Sequence, residues 1–191
     1  DLARARIRPG QFGQGGSERL EGKKSHPAWV VPGGVREALS EANRVHLRSW
    51  LPEAFATATS ALALFKNYVE THEEEVLNFG NFPTLFMGLV NRNGGQWEHY
   101  DGWLKIIDSA GTPLVDNFDP RNYAQILGEA VEPWSYLKSP YYKPLGYPDG
   151  AYRVGPLARL NVCNGIGTPR GDAELLEFRQ HGKNGVVVSS F

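Results

Sequence analysis

The stretch that decides the fold reads Glu132-Pro133-Trp134-Ser135-Tyr136-Leu137-Lys138-Ser139-Pro140-Tyr141-Tyr142-Lys143-Pro144-Leu145-Gly146-Tyr147-Pro148. It resumes as Tyr152-Arg153-Val154-Gly155-Pro156-Leu157-Ala158-Arg159-Leu160-Asn161. Prolines and tyrosines crowd it, and almost no helical or strand period runs through it. Proline removes a backbone donor, so such a run cannot support itself by regular hydrogen bonding. A surrounding core must hold it.

Upstream, residues 1–34 carry Pro9, Gly10, Gly13, Gly15, Gly16, Gly22, Pro27, Pro32, Gly33 and Gly34, which predicts loop rather than helix. From Val35 the pattern changes: Leu39, Ala42, Val45 and Leu47 share roughly one helical face. Ser49 ahead of Pro52 and Glu53 reads as a stop and a restart, because a serine can cap and a first turn tolerates proline. A second helix then runs to about Asn78 with Phe55, Ala58, Leu62, Phe65 and Val69 as its stripe. Residues 85–90 and 96–100 flank Asn91-Arg92-Asn93-Gly94-Gly95 and predict a hairpin. Trp103 to Ile107 gives a further strand, and Pro113-Leu114-Val115 another. Asp119-Pro120 opens a short helix to about Ala130, and a second short helix follows Thr168-Pro169. The expected class is α+β, mainly α, in a single domain spanning 1–191. Its parts are a loop-rich 1–34, a long helical pair over 35–78, a small antiparallel sheet over 85–115, and extended loops with short helices over 119–191.

At 191 residues and 41% apolar content the chain can bury a core of its own. Twenty Lys plus Arg against 21 Asp plus Glu leave a net charge of -1, so neither nucleic acid nor an anionic membrane is an expected partner. No apolar run approaches the roughly 20 residues that span a bilayer. The basic start lacks the apolar core of a signal peptide. One cysteine, Cys163, rules out an internal disulfide and fits a reducing compartment. The chain opens without methionine and ends within an apolar phrase at Phe191, which reads as truncation at both ends.

Local chemistry is sparse. No nucleophile elbow is present, and Cys163 reads either as a thiolate nucleophile or as a small packed hydrophobe. Pro32-Gly33-Gly34 opens a helix whose first N–H groups can bind an anion, or else simply turns into it. His72 beside Glu73, Glu74 and Glu75 spreads around a helix as a solvated acidic face. His46, His99 and His181 have no second ligand at a zinc-site spacing.

Several separated motifs nevertheless occur in one order: Lys23-Lys24-Ser25-His26-Pro27-Ala28-Trp29-Val30-Val31-Pro32-Gly33-Gly34-Val35, Trp97-Glu98-His99-Tyr100-Asp101-Gly102, the 132–159 run, and Asn161-Val162-Cys163 followed by Gly167-Thr168-Pro169. Together they resemble the central part of the nickel-dependent hydrogenase large (alpha) subunit, in its soluble cytoplasmic branch, with the NAD-reducing group closest. That resemblance implies reversible oxidation of dihydrogen at a nickel–iron centre held by two Cys-x-x-Cys pairs. It further implies electrons passing to an iron–sulfur small subunit, with other electron-transfer subunits beyond it. Neither cysteine pair is present, so no metal is expected to bind this chain alone, and the chain alone is expected to be inactive.

The resemblance also singles out four residues. His26 would tune a cluster or pass protons near the small-subunit interface, or else make a structural hydrogen bond. Glu132 and Lys138 would join a polar network behind the metal site, or else form an ordinary salt bridge. Arg159 would anchor through its fork of donors. Ser25 and the glycines around Phe12 depart from the family, so a helix there is doubtful. Two further readings compete: a non-catalytic paralogue acting as a subunit-docking module, and an unrelated hydrolase using Cys163 or a serine. Under the leading reading, the helices over 35–78 should expose apolar faces.

Overall fold

Glycine and proline at positions 9–16 predict an interrupted backbone, yet Leu2–Glu21 forms one helix, α1. The computed structural model describes residues 2–24, 26 and 28–189, with the backbone alone for 2–9 and 21. Ser25 and Pro27 of the first motif, and the last two residues of the terminal apolar phrase, lie outside the described residues. Two compact units divide the chain, Asp1–Glu73 and Glu74–Phe191.

In the first unit the loop expectation for 1–34 is corrected by a packing requirement. A Cβ at Gly15 would stand 2.8 Å from Trp50 Cη2, so the glycine admits the indole against α1. An interior glycine costs a helix about 1 kcal/mol. Here the indole offsets that cost by meeting Phe12 at 6.1 Å and lying 4.5 Å beneath the Arg19 guanidinium. Asn43 Nδ2 also donates to Arg19 O at 3.0 Å.

Trp50 belongs to α2, which runs unbroken over Glu41–Thr71. Ser40 caps it, its hydroxyl accepting from Asn43 N at 3.2 Å. The restart expected at Ser49 does not occur. Ser49 donates instead to His46 O at 2.7 Å, and Pro52 sits inside the helix. The stripe expected to be buried is not: α2 holds no buried residue, and Phe55 is 66% exposed. The expected apolar exposure of this region is therefore present. A short α3, Glu73–Asn78, follows. Pro32-Gly33-Gly34 opens no helix. It turns a two-residue hairpin, β1 (Val30–Val31) against β2 (Gly34–Val35), with Gly33 at φ 90°.

The second unit is built on β3 (Leu85–Val90), β4 (Trp103–Ile107), β5 (Pro113–Phe118) and β8 (Tyr152–Arg153), in the order β5-β4-β3-β8. The sheet is not wholly antiparallel, because β3 pairs β8 in parallel. Nor is 96–100 a strand. Val90 makes one bridge to Trp97, and β3 finds its true partner in β4. The helix expected from Asp119 shrinks to a 3-10 turn, Pro120–Gln125, capped by Asp119. Strand β6 (Leu127–Val131) then pairs with β7 (Lys138–Tyr142), so the proline- and tyrosine-rich run contains a hairpin.

Helix α4 (Pro156–Val162) lies across β3 at Gly88, where a Cβ would stand 2.7 Å from Val162 Cγ2. Helix α5 (Pro169–Gln180) appears where Thr168-Pro169 predicted it, and Thr168 accepts from Gly171 N. Alternation along β3 directs Phe86 and Val90 into a core with Ile107, Ala158, Val162, Cys163, Leu175 and Val186. Leu85 joins Ile106 and Tyr142 in a second cluster. The fold is α+β with small sheets.

Candidate functional site

Polar side chains gather where β4, α4 and α5 meet. Lys105 follows Leu104 on β4 and shares a strand face with Ile107, which belongs to the main core. Its residue is only 8% exposed, and its Nζ lies 3.5 Å from Asn164 Oδ1. Arg179, in the last turn of α5, donates through Nη2 to Leu160 O at 3.4 Å and to Cys163 O. Those carbonyls belong to the C-terminal end of α4, where unpaired acceptors and the helix dipole favour a cation.

Asn161 fixes the same helix from the other side. Its Nδ2 donates to Val187 O at 2.7 Å, and its Oδ1 accepts from Val187 N at 3.0 Å. The Cys163 thiol packs inside the core as a small hydrophobe. Burial pushes its ionisation up, against the opposing pull of the Arg179 and Lys105 charges. A buried, protonated thiol is a poor nucleophile, which removes the basis for a cysteine hydrolase. A cleft of about 190 Å³ opens beside these residues, lined by Lys105, Asn161, Asn164, Arg179, Asn184 and Val186 among others.

The four residues singled out by resemblance stand elsewhere. His26 is exposed, with φ 49°, in the first unit. Glu132 and Lys138 share the β6–β7 hairpin but do not pair with each other. Lys138 Nζ meets Glu129 Oε2 at 3.0 Å, with both side chains more than half exposed. Glu132 takes the Tyr147 hydroxyl, an interaction that raises the tyrosine's ionisation. Arg159 sits half-buried on α4. The arginine forks in use nearby belong to Arg153, which donates to Val188 O at 2.5 Å and to Gly80 O, and to Arg179. Around the β6–β7 turn an apolar tip stands in solvent, with Trp134 80% and Tyr136 97% exposed beside Val131 and Leu137.

Lys105 and Arg179 are far apart in sequence and have no local signature, so a reading along the chain passes over them. The one signal in the sequence was a lysine within an otherwise apolar strand.

Nickel, iron and iron–sulfur centres require several thiolates, imidazoles or carboxylates converging on one point. Among the described residues no three of His, Cys, Asp or Glu are so placed, and the chain has one cysteine. The described residues do not fit such a group.

No protein-family model matches the chain. Curated proteins do. It is 37% identical over 178 residues to a subunit of the vhu F420-non-reducing hydrogenase of Methanocaldococcus jannaschii, covering 93% of this chain and 42% of that protein. It is 35% identical over 189 residues to the NAD-reducing hydrogenase HoxS subunit beta of Cupriavidus necator, covering 96% of this chain and 38% of that one. A solved NAD+-reducing NiFe-hydrogenase in the H2-reduced state superposes with a TM-score of 0.89 at 40% identity, over 98% of this chain and 42% of the other. The chain thus spans about two-fifths of the length of these relatives, and its fold is that of part of a hydrogenase subunit.

These relatives correct the expectation of a nickel–iron large (alpha) subunit. The one from Cupriavidus necator bears the name of a beta subunit, and a further one, from Archaeoglobus profundus, that of an iron–sulfur subunit. The catalytic assignment resting on that expectation falls with it, as does its placement in a large-subunit fold. The names lend no support to a non-catalytic paralogue either. The shared motifs located the hydrogenase context without fixing which subunit carries them.

Proposed function

We propose that the chain is part of a subunit of a multisubunit hydrogenase of the F420-non-reducing or NAD-reducing kind. It works there by packing against other hydrogenase polypeptide. The observation that carries this reading is the exposure of large apolar side chains on both α2 and the β6–β7 tip. Along α2 the side chains of Leu51, Phe55, Leu64 and Phe65 are exposed, and the β6–β7 tip presents Trp134 and Tyr136. Large apolar side chains held in solvent in such numbers favour association, and tryptophan and tyrosine are residues that anchor interfaces. Redox centres of such an assembly would be held by other polypeptide, because the residues here do not fit one. Among the described residues no helix is long and apolar enough to cross a membrane.

The test is purification of the tagged protein from its own host. Hydrogenase subunits, identified by mass spectrometry, should accompany it together with dihydrogen-dependent dye reduction. Phe55→Asp combined with Trp134→Asp should release the chain from that activity. Recovery of the unmodified protein as a lone monodisperse monomer, without hydrogenase polypeptides, would overturn the reading.

A further inference from the structure

We propose that the cleft beside β4, α4 and the 183–187 turn binds a small oxyanion of the phosphate class. The inference stands apart from the hydrogenase reading and rests on a count of donors and acceptors. The ten residues lining the cleft include two cations, Lys105 and Arg179, and three asparagines, but no aspartate or glutamate. An ammonium offers three donors and no acceptor. Lys105, almost wholly withdrawn from solvent, reaches only Asn164 Oδ1, at 3.5 Å, among the described residues. A guanidinium offers five donors. The bonds of Arg179 all leave from Nη2, so Nε and Nη1 have no acceptor among the described residues.

Two carboxylates of adjoining turns, neither of which lines the cleft, each use one oxygen within their own turn. Asp108 Oδ1 accepts from Ala110 N and Thr112 N, and Asp172 Oδ1 from Ile166 N and Gly167 N. Two cations on one cleft repel each other, and withdrawing the Lys105 ammonium from water without a counter-charge costs free energy. An anion with several oxygens relieves both costs by accepting charge-assisted hydrogen bonds. Asn184 also lines the cleft, while the Nδ2 of Asn161 is committed to Val187 O.

The cleft, about 190 Å³, has room for a phosphate with attendant waters.

The test is calorimetric titration of inorganic phosphate into the full-length protein in dilute, phosphate-free buffer. Saturable 1:1 binding is expected with a Kd of about 1 mM or tighter, weakened about tenfold or more by Lys105→Met. Lys105→Arg should retain most of the affinity, and Lys23→Met, at an exposed site in the other unit, all of it. A second measurement needs no variant: phosphate should slow amine-reagent modification of Lys105, read by mass spectrometry, and leave Lys23 unchanged. Equal binding by Lys105→Met reveals an adventitious ion only and overturns the proposal. So does acetate binding as tightly as phosphate, or a modification rate at Lys105 that phosphate does not alter.

Discussion

Replacing Gly88 by alanine tests how α4 is seated on β3. The added Cβ would stand 2.7 Å from Val162 Cγ2, whereas carbon atoms in contact prefer about 3.5–4.0 Å. Relief has to come from movement, and the surroundings resist it. Valine is stiff about χ1, and Val162 is 1% exposed. The backbone of α4 is held by the paired bonds of Asn161 to Val187. Overpacking of this kind costs about 1–3 kcal/mol, set against a gain of about 0.5–1 kcal/mol from stiffening the unfolded chain. At 2.7 Å the clash lies toward the upper part of that range, so Gly88→Ala should destabilise by about 1–2.5 kcal/mol net.

Val162→Ala removes two buried carbons and costs about 1.5 kcal/mol or more by itself. It also clears the space the new methyl needs. In the Val162→Ala background Gly88→Ala should be neutral or stabilising, a favourable coupling of about 1–2.5 kcal/mol. Urea unfolding of the four proteins, followed by far-UV circular dichroism, measures both quantities. A Gly88→Ala protein as stable as its parent, or strict additivity in the double variant, would refute the packing argument.

Two further outcomes are expected. Pro52 lies inside α2, where it removes an N–H from the helix ladder, so Pro52→Ala should raise the stability of the first unit by about 1–3 kcal/mol. Loss of helicity in that variant would show that the proline is needed where it stands. Burial raises the pKa of Cys163, so the folded protein holds the thiol proton more tightly than the unfolded chain does. The thiol's contribution is complete below the ionisation of the unfolded chain's thiol and is lost as pH rises through the folded value. Stability should accordingly decline on the alkaline side, the decline should flatten in Cys163→Ala, and iodoacetamide should react slowly with the folded protein. Rapid alkylation at neutral pH would contradict the burial.

Features carried by neighbouring residues could be read directly along the chain. The helical character of 41–71, the strand over 85–90, and the cap and proline that open α5 were legible, because caps and periodicity act over a few positions, whereas the start of α2 after Ser40 and its continuity through Ser49 and Pro52 were not. The shared motifs likewise pointed to a hydrogenase, since each phrase is local and their order survives in the linear text. Long-range packing settled the rest. Gly15 looked like a helix breaker until Trp50 was seen against it, and a glycine's freedom has the same sequence signature whether it bends a chain or admits a neighbour. The 96–100 segment had a strand's composition, but β4 took the place beside β3, since pairing is a competition between strands and not a property of one. The tyrosine-rich run lacked a period because its hairpin is held partly by Tyr142, buried against Leu85 and Ile106 from another strand pair. Lys105 and Arg179 meet at one cleft only once β4 and α5 pack around α4, and the burial of Lys105, which makes its charge consequential, comes from long-range contacts that a linear reading does not contain.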